Sequence, residues 1–364
     1  MIDDRVPHPA LGAGYPRACQ VLQTLSKLGH KVWFLPSIVT ETQREASPTL
    51  PERCKYIPQG GDEGIIRYVS SHPHRFDAIW ISRPHNMALL ARYLPEDHPV
   101  WTQYPLVIYD AEAIFALRTQ KMREFYPQIR AGRPLSAELG LADTADAVVA
   151  VNDTEGQYFA KRGHRTFRLA AACEAKPGST PFAERQGLLF VGSLREHPGP
   201  NADAIVWFCN EVVPRIQDGL TEKLVLTIAG DVMPHIKDQL ASRGADVLGR
   251  VADLSTLYDR HRVFVAPHRF AAGIPYKIIE ASAFGLPSVA SSLLADQLGW
   301  RDRKGILTAQ TGSASEFAKA CITLYEQKGL WETLRRNAVA AVEHDFSAGQ
   351  LQNALCELLK TKRA

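Results

Sequence analysis

The chain has 364 residues, 45% of them hydrophobic and 22% charged, with a formal net charge of +3. That composition excludes a disordered or low-complexity protein, and the small charge gives no ground for a nucleic-acid partner. No apolar run approaches the roughly 20 residues of a membrane span, and the opening "MIDDRVPHPA" lacks the apolar core of a secretion signal.

In chain order, only "MIDD" precedes the turn at Pro7. The first strand therefore reads as clipped, with its start upstream or the chain a piece of a longer one. A helix is predicted from Arg17 to Leu28, stopped by Gly29 and followed by the strand "KVWFLPS". "FDAIWIS", "PLVIYDA" and "DAVVAVN" are apolar and rich in Val and Ile, as suits strands buried on both faces of a parallel sheet. Asn152 can cap the next helix, with Glu155 at capping-box spacing. The polar stretch from Cys173 to Gly187, with its prolines and glycines, reads as a linker. The alternation restarts at "LLFVGS" and runs through a helix near Ala202–Ile216, "KLVLTIAG", "RVFVAPH", a helix containing Glu280, and "LPSVAS". "SAGQLQNALCELLK" is a terminal helix. The pattern predicts two consecutive α/β domains. Six cysteines lie far apart without a C-x-x-C pair, and read as isolated thiols of a cytoplasmic protein.

Open parallel sheets bind ligands outside the carboxyl ends of their strands, and three such loops carry special residues. In "DDRVPHPALGAGYPRACQVL", Gly12 and Gly14 precede a helix whose start favours an anion, and Arg17 would face that anion. A tight turn alone explains the glycines equally well. In "VIYDAEAIFALR", Asp110 and Glu112 are candidates for binding hydroxyls or for general-base work. The alternative is helix capping by Asp110, with Glu112 complementing the helix dipole. In "APHRFAAGIPYKIIEASAFG", Pro275 suits a first helical position, and Lys277 adds positive charge to the helix start. Glu280 stands among apolar residues and needs a partner, which a ribose diol would supply; the rival is a solvated Lys277–Glu280 pair.

The order of strand, small-residue loop, helix with Glu280 and "AFGLPSV" resembles the second domain of GT-B glycosyltransferases, particularly the retaining enzymes of family 4. "LLFVGSLREHPGPNADAIVWF" is similar to their phosphate loop, "ADVLGRVADLSTLYDRHRVFVAP" to their base-binding segment, and "GAGYPR" to their first loop. The resemblance implies two Rossmann-like domains facing each other across a cleft. Residues 1–175 would form an acceptor-side domain, 186–344 a donor domain, and 345–364 a helix returning to the first. It implies a nucleotide-sugar donor with neither cofactor nor metal. Glu280 would hold the ribose. Gly273, Ile274 and the helix amides would approach the diphosphate, with Gly192, His197 and His268 on the same donor side. Val247 and Leu248 would flank the base, and Gly12 and Gly14 would close over the donor. The pattern departs from the family where a second glutamate is Ala272 and where the phosphate-binding arginine and lysine are Ser193 and Pro198. Arg195 and His197 lie near enough to substitute, together with Lys277. No histidine matches the family's acceptor-side one, and "ISRPHNM" offers Arg83 and His85 in its region.

The expected activity is retaining transfer of a sugar to a hydroxyl acceptor, a bacterial cell-surface glycan or lipid-linked saccharide. Arg195, Lys277 and Arg17 would stabilise the departing diphosphate, and the acceptor's proton would pass to a donor phosphate oxygen. The alternatives are a non-catalytic nucleotide-sugar-binding protein and a nucleotide-sugar 2-epimerase. Arg118, Lys121, Arg123, Arg130 and Arg133 gather in what reads as the first domain. They suit either a solvated face or a peripheral contact with an anionic membrane leaflet or lipid-linked diphosphate.

Overall fold

The computed structural model describes residues 1–8, 12, 14–38, 50–58, 60–72, 75–103 and 106–361. The chain divides into two compact units. Unit 1 comprises Met1–Leu117, Gly132–Ala172 and Ala348–Ala364, and unit 2 comprises Arg118–Ala131 and Cys173–Ser347.

Unit 1 is built on a parallel sheet of β1 (Ile2–Asp3), β2 (Val32–Pro36), β3 (Cys54–Tyr56), β4 (Ile79–Ser82), β5 (Val107–Asp110), β6 (Ala147–Ala150) and β7 (Thr166–Arg168). The strands lie in the order β3-β2-β1-β4-β5-β6-β7, so the direction of travel reverses between β1 and β4. Alternate residues enter different apolar clusters. Ile108 and Val149 join Phe34 on one face, while Val107, Tyr109 and Val148 pack on the other. Burial on both faces is why these strands read as unbroken apolar runs. β1 is only two residues long, and both are buried.

The helix Tyr15–Lys27 begins two residues earlier than the sequence pattern suggests, with Pro16 in its first turn and Gly14 before it at φ 89°. Its buried Val21, Leu22 and Leu25 pack with Leu351, Leu355 and Leu358 of the terminal helix Ala348–Leu359. Asn152 caps the helix Asp153–Ala160 by accepting from the Glu155 N–H at 2.8 Å. The Glu155 carboxylate accepts from the Ile114 N–H at 2.7 Å.

Unit 2 holds a parallel sheet of β8 (Leu188–Val191), β9 (Leu226–Ala229), β10 (Asp246–Gly249), β11 (Val263–Ala266), β12 (Ser288–Ser291) and β13 (Leu307–Ala309). Its order is β10-β9-β8-β11-β12-β13, and the reversal falls between β8 and β11. The helix expected near Ala202–Ile216 runs from Pro200 to Trp207, widens to a π-helical turn over Phe208–Val212, and resumes as Val213–Gly219. The widening immediately precedes Pro214, which has no N–H to give to an ordinary helical turn.

Two expectations need correction. Residues 173–187 are not a loose linker. The Lys176 and Gly178 N–H groups bond to Ala283 and Phe284 carbonyls, and Arg185 is fully buried, donating to Thr180, Tyr258 and Asp259. Buried backbone and guanidinium groups must find partners, and here they find them in unit 2. Likewise Arg118, Lys121, Arg123 and Arg130 belong with unit 2, and only Arg133 with unit 1. The Tyr126 hydroxyl donates to Asp203 at 2.6 Å, and Arg269 lies 4.3 Å over the Phe125 ring, which ties that segment to unit 2.

The fold makes the terminal helix part of the unit 1 core. Leu355→Ala, at a position with no exposed surface, is expected to cost about 2–5 kcal/mol in urea unfolding. A loss below 1 kcal/mol would show the helix to be dispensable.

Candidate active site

Each sheet presents its chemistry where strand order reverses, as open α/β sheets do. In unit 2 the loops after β8 and β11 lie side by side there, since Leu189 pairs with Phe264. Asn201, in the first turn of the helix Pro200–Trp207, donates to the Ser193 carbonyl at 3.0 Å. Its Oδ1 accepts from His268 Nε2 at 2.9 Å and from the Lys277 ammonium. That ammonium stands 4.7 Å above the Phe190 ring, against which His268 stacks. A Cβ on Gly192 would lie 2.9 Å from Lys277 Nζ, so glycine is what lets the lysine approach this strand end.

No salt bridge to Lys277 is formed among the described residues. Burial pushes its pKa down to about 7, with no carboxylate opposing the shift. Burial, and then the Lys277 charge, hold the His268 pKa well below its ordinary value, so His268 is neutral. The Lys277–Glu280 pair is therefore not made. Glu280 turns instead to Tyr258, whose buried hydroxyl donates to its Oε2 at 2.7 Å, and burial raises its pKa. Pro275 is not the first helical residue. It forms the corner of an inverse γ-turn, φ −77° and ψ 72°, closed by the Tyr276 N–H on the Ile274 carbonyl, and the helix Tyr276–Ala283 follows.

Gly273 is buried and Ile274 half-buried in the loop before that helix. Val247 and Leu248 lie on the edge strand β10, Leu248 being 40% exposed. His197 is exposed, its ring edge-on to Tyr126. Arg195 is exposed and ion-paired to Asp231, a pairing worth little in water.

In unit 1 the site lies at the carboxyl ends of β1, β4 and β5, and here Arg17 corrects its expectation. It does not point outward to an anion. It is 4% exposed, bonds Asp110 through both oxygens at 2.7 and 2.8 Å, lies 3.4 Å from Glu112, and donates to the Leu169 carbonyl. Asp110 also accepts from Trp80 Nε1 and the Glu112 N–H. It does not cap the next helix; the Phe115 and Ala116 N–H groups are taken by Glu138.

Glu112 occupies the corner of a γ-turn at φ 54°, closed between the Ala111 carbonyl and the Ala113 N–H. Such a turn is strained for a residue with a side chain. Its carboxylate meets Arg83 Nη1 at 3.0 Å and abuts Gly14, where an added Cβ would lie 2.9 Å from Oε2. Arg83 is itself at φ 77°; it donates from Nε to Asp3 at 2.7 Å and covers the Tyr15 ring. His85, 58% exposed, bonds Asp4, which also accepts from Asn86. Gly12 lies one turn before the helix, its carbonyl accepting the Tyr15 N–H. Sequence reasoning missed Asp3, Asp4 and Asn201. The "DD" at a strand end carried a signal for the first two; nothing local marked Asn201.

Removing the Arg17 charge leaves two buried carboxylates without it. Arg17→Met is expected to cost about 3–5 kcal/mol in denaturant unfolding, and a cost below 1 kcal/mol would contradict this picture.

Residues 185–327 match the family model for group 1 glycosyl transferases. No curated protein matches the chain by sequence. Among solved structures, HepE (Alr3699) of Anabaena, in complex with UDP and glucose, superposes with a TM-score of 0.70 at 15% identity, over 99% of this chain and 98% of that one. Sucrose-phosphate synthase of Thermosynechococcus elongatus gives 0.76 at 14% identity, over 99% and 97%. WaaG, a glycosyltransferase involved in lipopolysaccharide biosynthesis, gives 0.64 at 13% identity, over 98% and 99%. Residues 185–327 are thus similar to group 1 glycosyl transferases, and the chain has a GT-B fold.

Proposed function

We propose that the protein transfers a sugar from a nucleotide-sugar donor to a hydroxyl acceptor, with retention of anomeric configuration, and that Lys277 holds the donor's diphosphate. One observation carries this reading: a desolvated ammonium at the switch point of unit 2 has no anionic partner among the described residues. Phosphate oxygens would supply that partner and restore the charge. They would also lie near the start of the helix Tyr276–Ala283, where amides favour anions. As the bond to the sugar breaks, negative charge grows on the leaving phosphate, and a cation fixed there favours the transition state over the ground state. Tyr258 holds one Glu280 oxygen, which leaves the other for a ribose diol. The HepE structure with UDP and glucose supports a uridine nucleotide. WaaG supports a cell-surface glycan or lipid-linked saccharide as acceptor.

Retention follows the resemblance to family 4. The acceptor oxygen forms its bond to the anomeric carbon on the face from which the phosphate departs. Arg195, exposed and paired, contributes less than the sequence suggests. We propose no metal requirement, Lys277 supplying the positive charge, so EDTA is expected to change turnover by less than twofold.

The Lys277 shift also affects stability. Its folded pKa of about 7 lies below the ordinary 10.5. The unfolded chain therefore holds the extra proton between these values, and this group's contribution to stability falls as pH drops from 10.5 to 7. Lys277→Met is expected to raise Tm at neutral pH and to gain little at high pH. The same variant is expected to lose the Tm increase given by nucleoside diphosphates and at least tenfold in turnover. A panel of UDP, GDP, ADP and TDP in thermal-shift measurements tests the reading; a wild-type protein that answers to none of them would end it.

A further inference from the structure

We propose that Glu112 is a catalytic residue of unit 1 that receives first the hydrogen bond and then the proton of an uncharged acceptor hydroxyl. This rests on the transfer reading above and adds the acceptor's chemical class to it.

Three independent features converge on Glu112. The first is backbone strain. Among the described residues only Arg83, Glu112 and Arg303 hold positive φ without being glycine, and the first two are joined by an ion pair at the carboxyl ends of neighbouring strands. Such strained conformations persist where the surroundings impose them, and they concentrate at functional sites.

The second is the balance of charge. Asp3, Asp4, Asp110 and Glu112 pair with Arg17 and Arg83, with His85 at the rim and Arg5 over the Tyr15 ring that Arg83 also covers. The carboxylates are in excess, so one of them readily holds a proton. Burial pushes Glu112 up to about 7 against the pull of Arg17 and Arg83, and burial raises Asp3 as well. Carboxylates this close to the Glu112 oxygens disfavour a phosphate or carboxylate there, and a neutral hydroxyl, as on a sugar, fits the acceptor end.

The third is an unmet pair of groups. Among the described residues, Arg83, 9% exposed, has no partner for its Nη2, and fully buried Asp3 has none for its Oδ2. Buried donors and acceptors are rarely left unmatched. A hydroxyl is both donor and acceptor, and Glu112 and Arg83 each keep 9% of their surface exposed.

In the step inferred, the acceptor oxygen forms a bond to the anomeric carbon while the carbon–oxygen bond to phosphate breaks. The nucleoside diphosphate leaves with the bonding pair, the hydroxyl proton moves to a Glu112 oxygen, and it passes later to solvent. The proton thus goes to the protein and not to a donor phosphate oxygen, as the sequence suggests. The groups facing Glu112 are Arg17 from the helix Tyr15–Lys27, Arg83 after β4, Asp110 from β5 and Asp3 from β1; beyond Arg83 lie Asp4 and His85, bonded to one another, and Tyr15, whose ring both Arg83 and Arg5 cover.

The test compares wild type with Glu112→Gln, which keeps the side chain's shape. The donor probe is whichever nucleotide sugar raises the wild-type Tm most, and the readout is nucleoside diphosphate release. Water, 1 M glycerol and 1 M glycerol 3-phosphate serve as acceptors. Wild type is expected to turn over faster as pH rises through about 7, and faster with glycerol than with glycerol 3-phosphate. Glu112→Gln should keep its donor-induced Tm shift, lose 100-fold or more in release, and lose the rising limb of the pH profile. Retention of that limb, release within threefold of wild type, no release by a donor-bound wild type, or preference for glycerol 3-phosphate would each overturn the proposal. A wild type that binds no nucleotide sugar removes the donor reading first, and a Glu112→Gln protein without the donor-induced shift shows a structural role for Glu112 and overturns the proposal alone.

Discussion

The Arg17 guanidinium is the fixed point of unit 1. It is almost wholly removed from water, and a charge so placed persists only when its hydrogen bonds and counter-charges are supplied. They come from two distant stretches of chain: Asp110 at the end of β5 with Glu112 in the turn beyond it, and the Leu169 carbonyl after β7. Because those partners must converge on one planar group, the start of the helix Tyr15–Lys27 is locked against the strand ends. The close packing of Gly14 on Glu112 and the bridge from Glu112 to Arg83 follow from that convergence.

The two switch points carry opposite electrostatic deficits. In unit 1 the carboxylates Asp3, Asp4, Asp110 and Glu112 outnumber the arginines they pair with, Arg17 and Arg83, and one of them carries a near-neutral pKa. Unit 2 has a cation without an anion, held over an aromatic face beside a neutral imidazole. Each is costly to the isolated fold, and each suits one half of a group transfer, a hydroxyl to be deprotonated and a phosphate to be neutralised.

Much of the architecture was legible from sequence because strands buried on both faces must be apolar throughout, as "VIYD" and "AVVA" nearly are. Lys277, Glu280, Asp110 and Glu112 were legible as candidates because charged residues beside buried strands need a reason. Their partners were not. Arg17 and Asp110 are separated by 93 positions, and only the folded sheet decides whether Arg17 faces a ligand or a carboxylate. The positive φ of Glu112 and Arg83 had no glycine to announce it. The allegiance of residues 118–131 was hidden for the same reason. Its basic residues dominate the local pattern, while the contacts of Phe125 and Tyr126 that decide the matter lie far along the chain.

The path of the backbone has a consequence for any attempt to take the protein apart. The chain leaves unit 1 after Leu117, returns at Gly132, leaves again after Ala172 and comes home at Ala348. No single cut yields two self-sufficient halves. A fragment ending at Ala172 lacks the leucines that cover the helix Tyr15–Lys27, and one beginning at Cys173 carries those leucines with nothing of its own to bury them. Unit 1 is therefore complete only when the stretch from Ala348 has joined the segments before Ala172, so its core closes through residues separated by the whole of unit 2.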